Sequence, residues 1–437
     1  MLNSMQIEHT SFIHTKKDEF KIKKTIFIIF IIWIVAMGGA LNDFNSHSLR
    51  LNSVQSFILP ICLLVFVIVA KFNARDVKKY LASICVLMIW QLILVYKYGS
   101  YDFLIGRLYD LTFAFILVRA LGIKKMFYYY EVAVSKLALL SLIVWFPIVV
   151  FPQLKTYLIP LSLPINETGT IVASWGVVGI SNSENLGIIR NLGFAWEPGR
   201  FSSFVSLALL LHLFRTRFRL FEKNFWPLLL ALLSSLATTG YMAFAICAIG
   251  YFFNAKNTAK DKILKYIILI GFILFFTFSP FMLDKIQNIS NTDTFLTDGA
   301  ANYYGKIGKN YVPQRSEGLY LEFLNIIHDP LFGYGDNSYY SYVQKDLFPQ
   351  LKINLSNGIL QIISMLGIPL ACIFYILLYK SSCYISKLYE IKGRFLVFLM
   401  ISAINVSYNF YFEPFIISIV LYSLFRPKSD KIIKSKQ

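Results

Sequence analysis

Charge is scarce in this 437-residue chain: Asp, Glu, Lys and Arg together make up 15% of it, against about 25% in soluble proteins. Only 24 residues are acidic. A water-facing globular surface cannot be assembled from so few ionic groups, so the length does not translate into two or three soluble domains. Cysteine is scarce as well. Four of the five, Cys62, Cys85, Cys247 and Cys372, sit inside apolar runs, Cys383 lies in a basic loop, and no pair has CxxC spacing. That argues against a disulfide framework and makes them small buried hydrophobes. The five histidines are scattered without HxxxH or HExxH spacing, so neither a metal centre nor a cofactor is expected. The net charge of +18 lacks the continuous basic stripe with interleaved aromatics of a nucleic-acid binder, which excludes nucleic acid as a partner.

What is abundant is apolar and aromatic: 57% hydrophobic residues, with 40 Phe and 27 Tyr. Aromatic rings pack against acyl chains, and Tyr and Trp anchor at headgroups. Runs able to cross ~30 Å of hydrocarbon fall near 25–41, 53–70, 81–96, 103–121, 131–151, 201–214, 226–239, 241–254, 266–282, 356–378, 395–410 and 412–425. The expected fold class is therefore all-α: a polytopic integral membrane protein of about twelve transmembrane helices, with residues 1–437 as a single membrane domain. The first run follows Lys16, Lys17, Lys21, Lys23 and Lys24 but exceeds the ~7–15 residues of a signal-peptide core, so it reads as an uncleaved helix.

The basic residues set an orientation. The N-terminus, the loops at Lys71–Lys79, Arg119–Lys125, Arg215–Lys223, Lys256–Lys265 and Lys380–Arg394, and the tail from Arg426 to Lys436 fall on one side of an alternating twelve-span plan. Counting Lys136 as the edge of the fifth span, 30 of the 42 Lys and Arg lie there, 11 lie opposite, and Arg107 is inside a span. By the positive-inside rule both termini are cytoplasmic. Two long connections, 152–200 and 283–355, then face the other side, and long loops are where chemistry concentrates. Within the second, Leu319, Tyr320, Phe323, Leu324 and Ile327 recur at helical spacing with Glu317, Glu322 and Asn325 between them. An amphipathic helix is predicted near 316–328, capped by Ser316, ended by Pro330, and lying on the outer membrane surface or over a cavity.

Candidate functional residues gather near those loops. Arg107 and Asp110 share a helical face inside a span, where a charge is costly enough to mark a polar cavity, although Arg107 can also snorkel outward. Arg190, Glu197 and Arg200 meet the membrane surface just before the sixth span, flanked by Gly193, Phe194, Trp196, Pro198 and Gly199. Guanidinium groups hold phosphate oxygens bidentately and stay charged, so Arg190 and Arg200 suit a lipid diphosphate; headgroup snorkelling is the plainer reading. In the second loop come Arg315 and then His328-Asp-Pro-Leu-Phe-Gly-Tyr-Gly335, a tight Pro and Gly turn after a histidine suited either to proton transfer or to capping. Glu413, beside Pro414 at a short outer turn, is a further carboxylate able to act as base or to be merely solvated.

At three of these stretches the chain resembles the O-antigen polymerase and ligase superfamily of membrane glycosyltransferases. Arg190-Asn-Leu-Gly193-Phe194 is similar to that family's Arg-x-x-Gly-Phe segment ahead of a span. Ser234 to Gly240 resembles its Ser/Thr-rich turn between spans, and His328 to Gly335 its (Asn/His)-Pro-Leu-x-Gly-x-Gly segment. The likeness covers about 190–370. Where ligases carry His-Asn after the large loop this chain has Ser356-Asn357, which favours the polymerase, called Wzy. The resemblance implies a polymerase in the bacterial inner membrane that joins undecaprenyl-diphosphate-linked repeat units by block transfer at the periplasmic face. It implies such glycans and membrane lipids as partners, with a chain-length regulator beside them. Arg190, Arg315, Arg200 and Arg107 would bind the diphosphate, and Glu197 or His328 would take the acceptor proton. The alternatives are a ligase of the same superfamily, a lipid-linked oligosaccharide flippase, which calls for internal repeats and short loops, or a purely structural role.

Overall fold

A computed structural model describes residues 24–38, 52–99, 106–162, 171–182, 188–220, 222–255, 310–311, 315–349, 352–353, 358–406 and 410–425, with isolated positions at 262–270 and 355. Most of the expected span at 266–282, most of the 283–355 loop before Arg315, the pair Ser356-Asn357 and both charged termini lie outside the described residues.

The described chain is mostly helical. In order come α1 (Lys24–Gly38), α2 (Asn52–Val69), α3 (Ala74–Tyr98), α4 (Gly106–Leu121) and α5 (Ile123–Val150), then α6 (Pro198–Thr216), α7 (Phe225–Ser234) and α8 (Thr238–Asn254). After these come α9 (Arg315–His328), α10 (Gly358–Leu388), α11 (Leu396–Ile404), α12 (Pro414–Val420) and α13 (Tyr422–Phe425). Three of them, α3, α5 and α10, are long and apolar enough to cross a membrane. Their ends follow local chemistry. Asn73 caps α3 by accepting the Asp76 amide at 2.8 Å, and Gly99 closes it in the left-handed conformation. Pro198 opens α6, where a missing N–H costs nothing.

The last two expected spans are shorter than the sequence predicts. Among the described residues of 395–410, nine are helical, and the helix ends where the Asn405 side chain donates to Ile401 O at 2.6 Å and accepts the Phe410 amide at 2.7 Å. The 412–425 stretch divides into α12 and α13 at Leu421. The helical expectation also missed two small sheets: antiparallel β1 (Ile171–Ser174), β2 (Gly179–Asn182) and β3 (Ile189–Asn191) within the first long loop, and a parallel pair, β4 (Asn310–Tyr311) with β5 (Lys352–Ile353), in the second.

Helices in lipid gain little from burying apolar surface against one another, so contact geometry and small side chains set the packing. On α6, Ser202, Ser203 and Ser206 are buried and donate back to carbonyls of their own helix, which satisfies their hydroxyls and lets α7 and α8 approach. Aromatic pairs fill the centre: Trp33 stacks on Phe113 at 5.3 Å and Tyr130 on Phe415 at 4.1 Å, joining α1, α4, α5 and α12.

The loops that charge bias groups together also touch. Arg119 donates to Lys71 O and pairs with Asp76, Arg217 pairs with Glu390, and Asn254 bonds the Lys392 backbone. Close to that end Glu131, fully buried on α5, accepts two bonds from Arg215, at 2.6 and 2.7 Å, and others from His212 and Asn224. Helix α9 begins at Arg315, one residue ahead of the expected cap Ser316, and ends at His328. Its faces are inverted relative to a helix packed on a protein core. Leu319, Tyr320, Phe323 and Ile327 are exposed, whereas Glu322 is buried beside Ser364 of α10 and Asn325 is buried where it accepts the Val343 amide.

Candidate functional site

The segment after α9 is tied to a break in α10. At Gly367 that helix takes φ 76° and ψ 159°, with Pro369 two residues on, so backbone groups around it lack helical partners. Residues 330–335 supply them. Tyr334 N donates to Ser364 O and Gly335 N to Met365 O, both at 3.0 Å, and Ile368 N donates to Pro330 O at 2.8 Å. Helix α3 holds the segment from the other side: Trp90 Nε1 donates to Phe332 O at 3.0 Å, Tyr98 Oη to Asp329 at 3.1 Å, and Lys97 pairs with Asp329. The Pro and Gly string is thus a structural clasp, and Asp329 is its anchor.

Just beyond the clasp, Asp336 accepts from Arg107 Nε at 2.6 Å, while Arg107 also reaches Asp110 at 3.2 Å and lies on the Phe412 ring at 3.4 Å. Next to it Arg200 donates to Glu413 at 2.6 Å and to Met37 O at 2.8 Å. Glu413 and Asp336 both act electrostatically on Asp110, and Arg107 acts on Glu413, so two guanidinium groups and three carboxylates form one partly buried cluster. It draws on α4, the turn after the clasp, the cap of α12 and the first turn of α6. Arg200 Nε and Glu413 Oε2 are buried with no hydrogen-bond partner in the protein, and Glu413 borders a cavity of about 20 Å³. That volume suits a single water-sized polar group.

The expected site residues divide. Arg107 and Arg200 belong to the cluster, but their guanidinium groups already hold carboxylates. Arg190, on β3, donates to Ser235 O at 3.1 Å and Leu236 O at 3.2 Å, so it caps the end of α7. Its neighbour Asn191 donates to Ser141 and Ser234, so the stretch around 190–194 and the turn at 234–240 are one contact. Glu197 is the N-cap residue of α6, half-buried, and its carboxylate makes no capping bond. His328 is exposed and stacks on Tyr342, away from the Arg107 bonds. Arg315 opens α9, and its side chain lies outside the described residues. Sequence reasoning missed Asp336, whose only signal is its place directly after Gly333-Tyr-Gly335. It weighed Glu413 as a base but not as the partner of Arg200.

Glu322, on the buried face of α9, is bonded by Ser364 on the broken helix and by Asn325, with Oε1 unpartnered. Burial pushes its carboxyl up from 4.5 to about 7. A carboxyl raised on folding binds more protons folded than unfolded, so its stability contribution is complete below about pH 4.5 and falls as pH rises to about 7. Thermal unfolding in detergent is expected to show a loss of roughly 3 kcal/mol between pH 4.5 and pH 8 from this group. Glu322→Gln should flatten that slope, and an unchanged slope would assign it elsewhere. Among the described residues no group of three or more His, Cys, Asp or Glu side chains is placed to hold a metal ion.

Comparison with protein-family models, with curated proteins and with solved structures finds no match for this chain.

Proposed function

We propose that this protein is a polysaccharide polymerase of the O-antigen type, acting on polyprenyl-diphosphate-linked glycans at the outer face of the membrane. One observation carries the reading. The three stretches that resemble the family converge: 190–194 contacts 234–240 directly, and the turn after 328–335 reaches Arg200 through Asp336, Arg107 and Glu413.

In the proposed reaction the bond between the donor sugar's anomeric carbon and the diphosphate oxygen breaks. A bond from that carbon to an acceptor hydroxyl oxygen forms, the hydroxyl proton passes to a carboxylate, and the lipid diphosphate leaves. Arg200, with Arg315 as the resemblance implies, offsets charge on the leaving group, a task positioned cations perform well in a low-dielectric site. Glu197, one helical turn from Arg200, takes the proton. Arg190 acts through the α7–α8 turn as a positioning residue. A second reading, a lipid-linked oligosaccharide flippase, draws on the discontinuous helix α10 and the charges beside it, which transporters also use.

The test is a gel of lipid-linked or surface polysaccharide from a strain lacking the gene, complemented with wild type, Arg200→Ala or Glu197→Gln. The polymerase reading expects the wild-type ladder to collapse to a single repeat unit in both variants. Polymer accumulating unattached would indicate a ligase, and loss of all outer-face product a flippase.

A further inference from the structure

A second site adjoins the charged cluster and shares Arg107 and Phe412 with it. A laterally open cleft of about 510 Å³ runs between α3, α10 and the α12–α13 pair, with Arg107 at one end and Lys79 at the other. Its walls are apolar, formed by Val86, Ile373, Leu377 and Leu421 among others, and Val86 and Ile373 are half exposed at its mouth. Along α3 it extends from Lys79 to Leu87, about 12 Å, and along α10 from Leu366 to Leu377, about 16 Å. That is the depth of one leaflet, half of ~30 Å of hydrocarbon.

Charge decides which end receives a headgroup. Arg107 is neutralised by Asp336 and Asp110 and covered by Phe412. Lys79 makes one bond, to the neutral carbonyl of Leu424 at 2.6 Å, and pairs with no carboxylate among the described residues. The nearest acidic side chain along its helix, Asp76, is already held by Arg119, and Arg75 and Lys78 on the same turn are exposed bases. A basic rim therefore borders the Lys79 end, and among the described residues that end holds the cleft's uncompensated cation.

We infer that this cleft binds an anionic glycerophospholipid from the leaflet on the Lys79 side, with its phosphate at Lys79 and one acyl chain between α3 and α10. The bound chain fills the apolar gap between α3 and α10, so the lipid is a structural ligand. The inference does not depend on which reaction the protein catalyses.

The test places the full-length protein in nanodiscs of equal phosphatidylglycerol and phosphatidylcholine, then transfers it to detergent and weighs retained lipid by native mass spectrometry. Phosphatidylglycerol is expected to be retained in preference, by about fivefold, the worth of one basic side chain beside an anionic headgroup. Lys79→Gln should abolish the preference while Lys78→Gln keeps it, and Val86→Trp, which fills the mouth, should abolish retention of both lipids. Unfolding temperatures of the three variants check that each is folded, and Val86→Trp tests the chain site even where Lys79→Gln is unstable. Equal retention of the two lipids, or equal effects of Lys78→Gln and Lys79→Gln, means non-specific boundary lipid and overturns the site. So does retention of a polyprenyl phosphate carried through purification in place of phosphatidylglycerol.

Discussion

Gly367→Ala is expected to lower the unfolding temperature in detergent by roughly 3–4 °C, the shift that about 3 kcal/mol produces in a chain of this length. Two costs combine. The backbone at φ 76° and ψ 159° lies in a region open essentially to glycine. An added Cβ would also stand 2.2 Å from Leu331 O. That oxygen cannot step aside, because residues 330–335 are bonded to 364–368 on one face and to Trp90 and Tyr98 on the other. Gly333→Ala meets the same problem from the opposite strand of the clasp, 2.4 Å from the carbonyl oxygens of Ser364 and Met365. Gly99→Ala separates the two costs: its φ is +67°, but nothing lies within 4 Å, so only the conformational part of about 1 kcal/mol remains. Equal losses at Gly367 and Gly99 would mean that the clasp is not closed in the folded protein.

Arg200→Met is expected to destabilise by about 3 kcal/mol, because it leaves the mostly buried Glu413 carboxylate without its partner. Glu413→Leu should cost a similar amount by stranding the guanidinium. The double variant should recover most of the loss, since two apolar side chains can replace a buried ion pair at little net cost. Polymer length in cells then separates structure from chemistry. A double variant that is stable but makes no polymer places Arg200 in the reaction, as proposed. One that is stable and makes normal polymer reduces the pair to a tether between α6 and α12.

Much of the architecture is legible one segment at a time. Helices α3, α5 and α6 contain nearly all of the apolar runs expected at 81–96, 131–151 and 201–214, although α3 and α5 start seven and eight residues earlier, and α9 follows from a 3.6-residue rhythm closed by Pro330. The orientation of α9 is not, because exposed apolar side chains are unfavourable in water but neutral against lipid. The rhythm left open a membrane surface or a cavity as its setting, and the fold leaves Leu319, Phe323 and Ile327 outside while Glu322 turns toward the broken helix. The candidate site shows the same division. Arg107 and Asp110 are readable as a pair because they are three residues apart. Arg107 with Asp336 and Arg200 with Glu413 are separated by more than 200 residues each, and no periodicity reports such a meeting.

By itself, the sequence determined that charge is too sparse for a soluble surface, where the apolar helices run, which loops are basic, and that arginines cluster ahead of α6. Those properties are local sums over neighbouring residues, and hydrophobicity and helical spacing are felt by each segment alone. Only the tertiary structure decided that α10 breaks at Gly367, that the Pro and Gly string closes over the break, that Arg190 caps α7 instead of standing open, and that Asp336 and Glu413 complete the charged cluster. Each of these depends on which distant backbone group or counter-charge fills a vacant hydrogen bond once the chain is packed, and that choice is made in three dimensions.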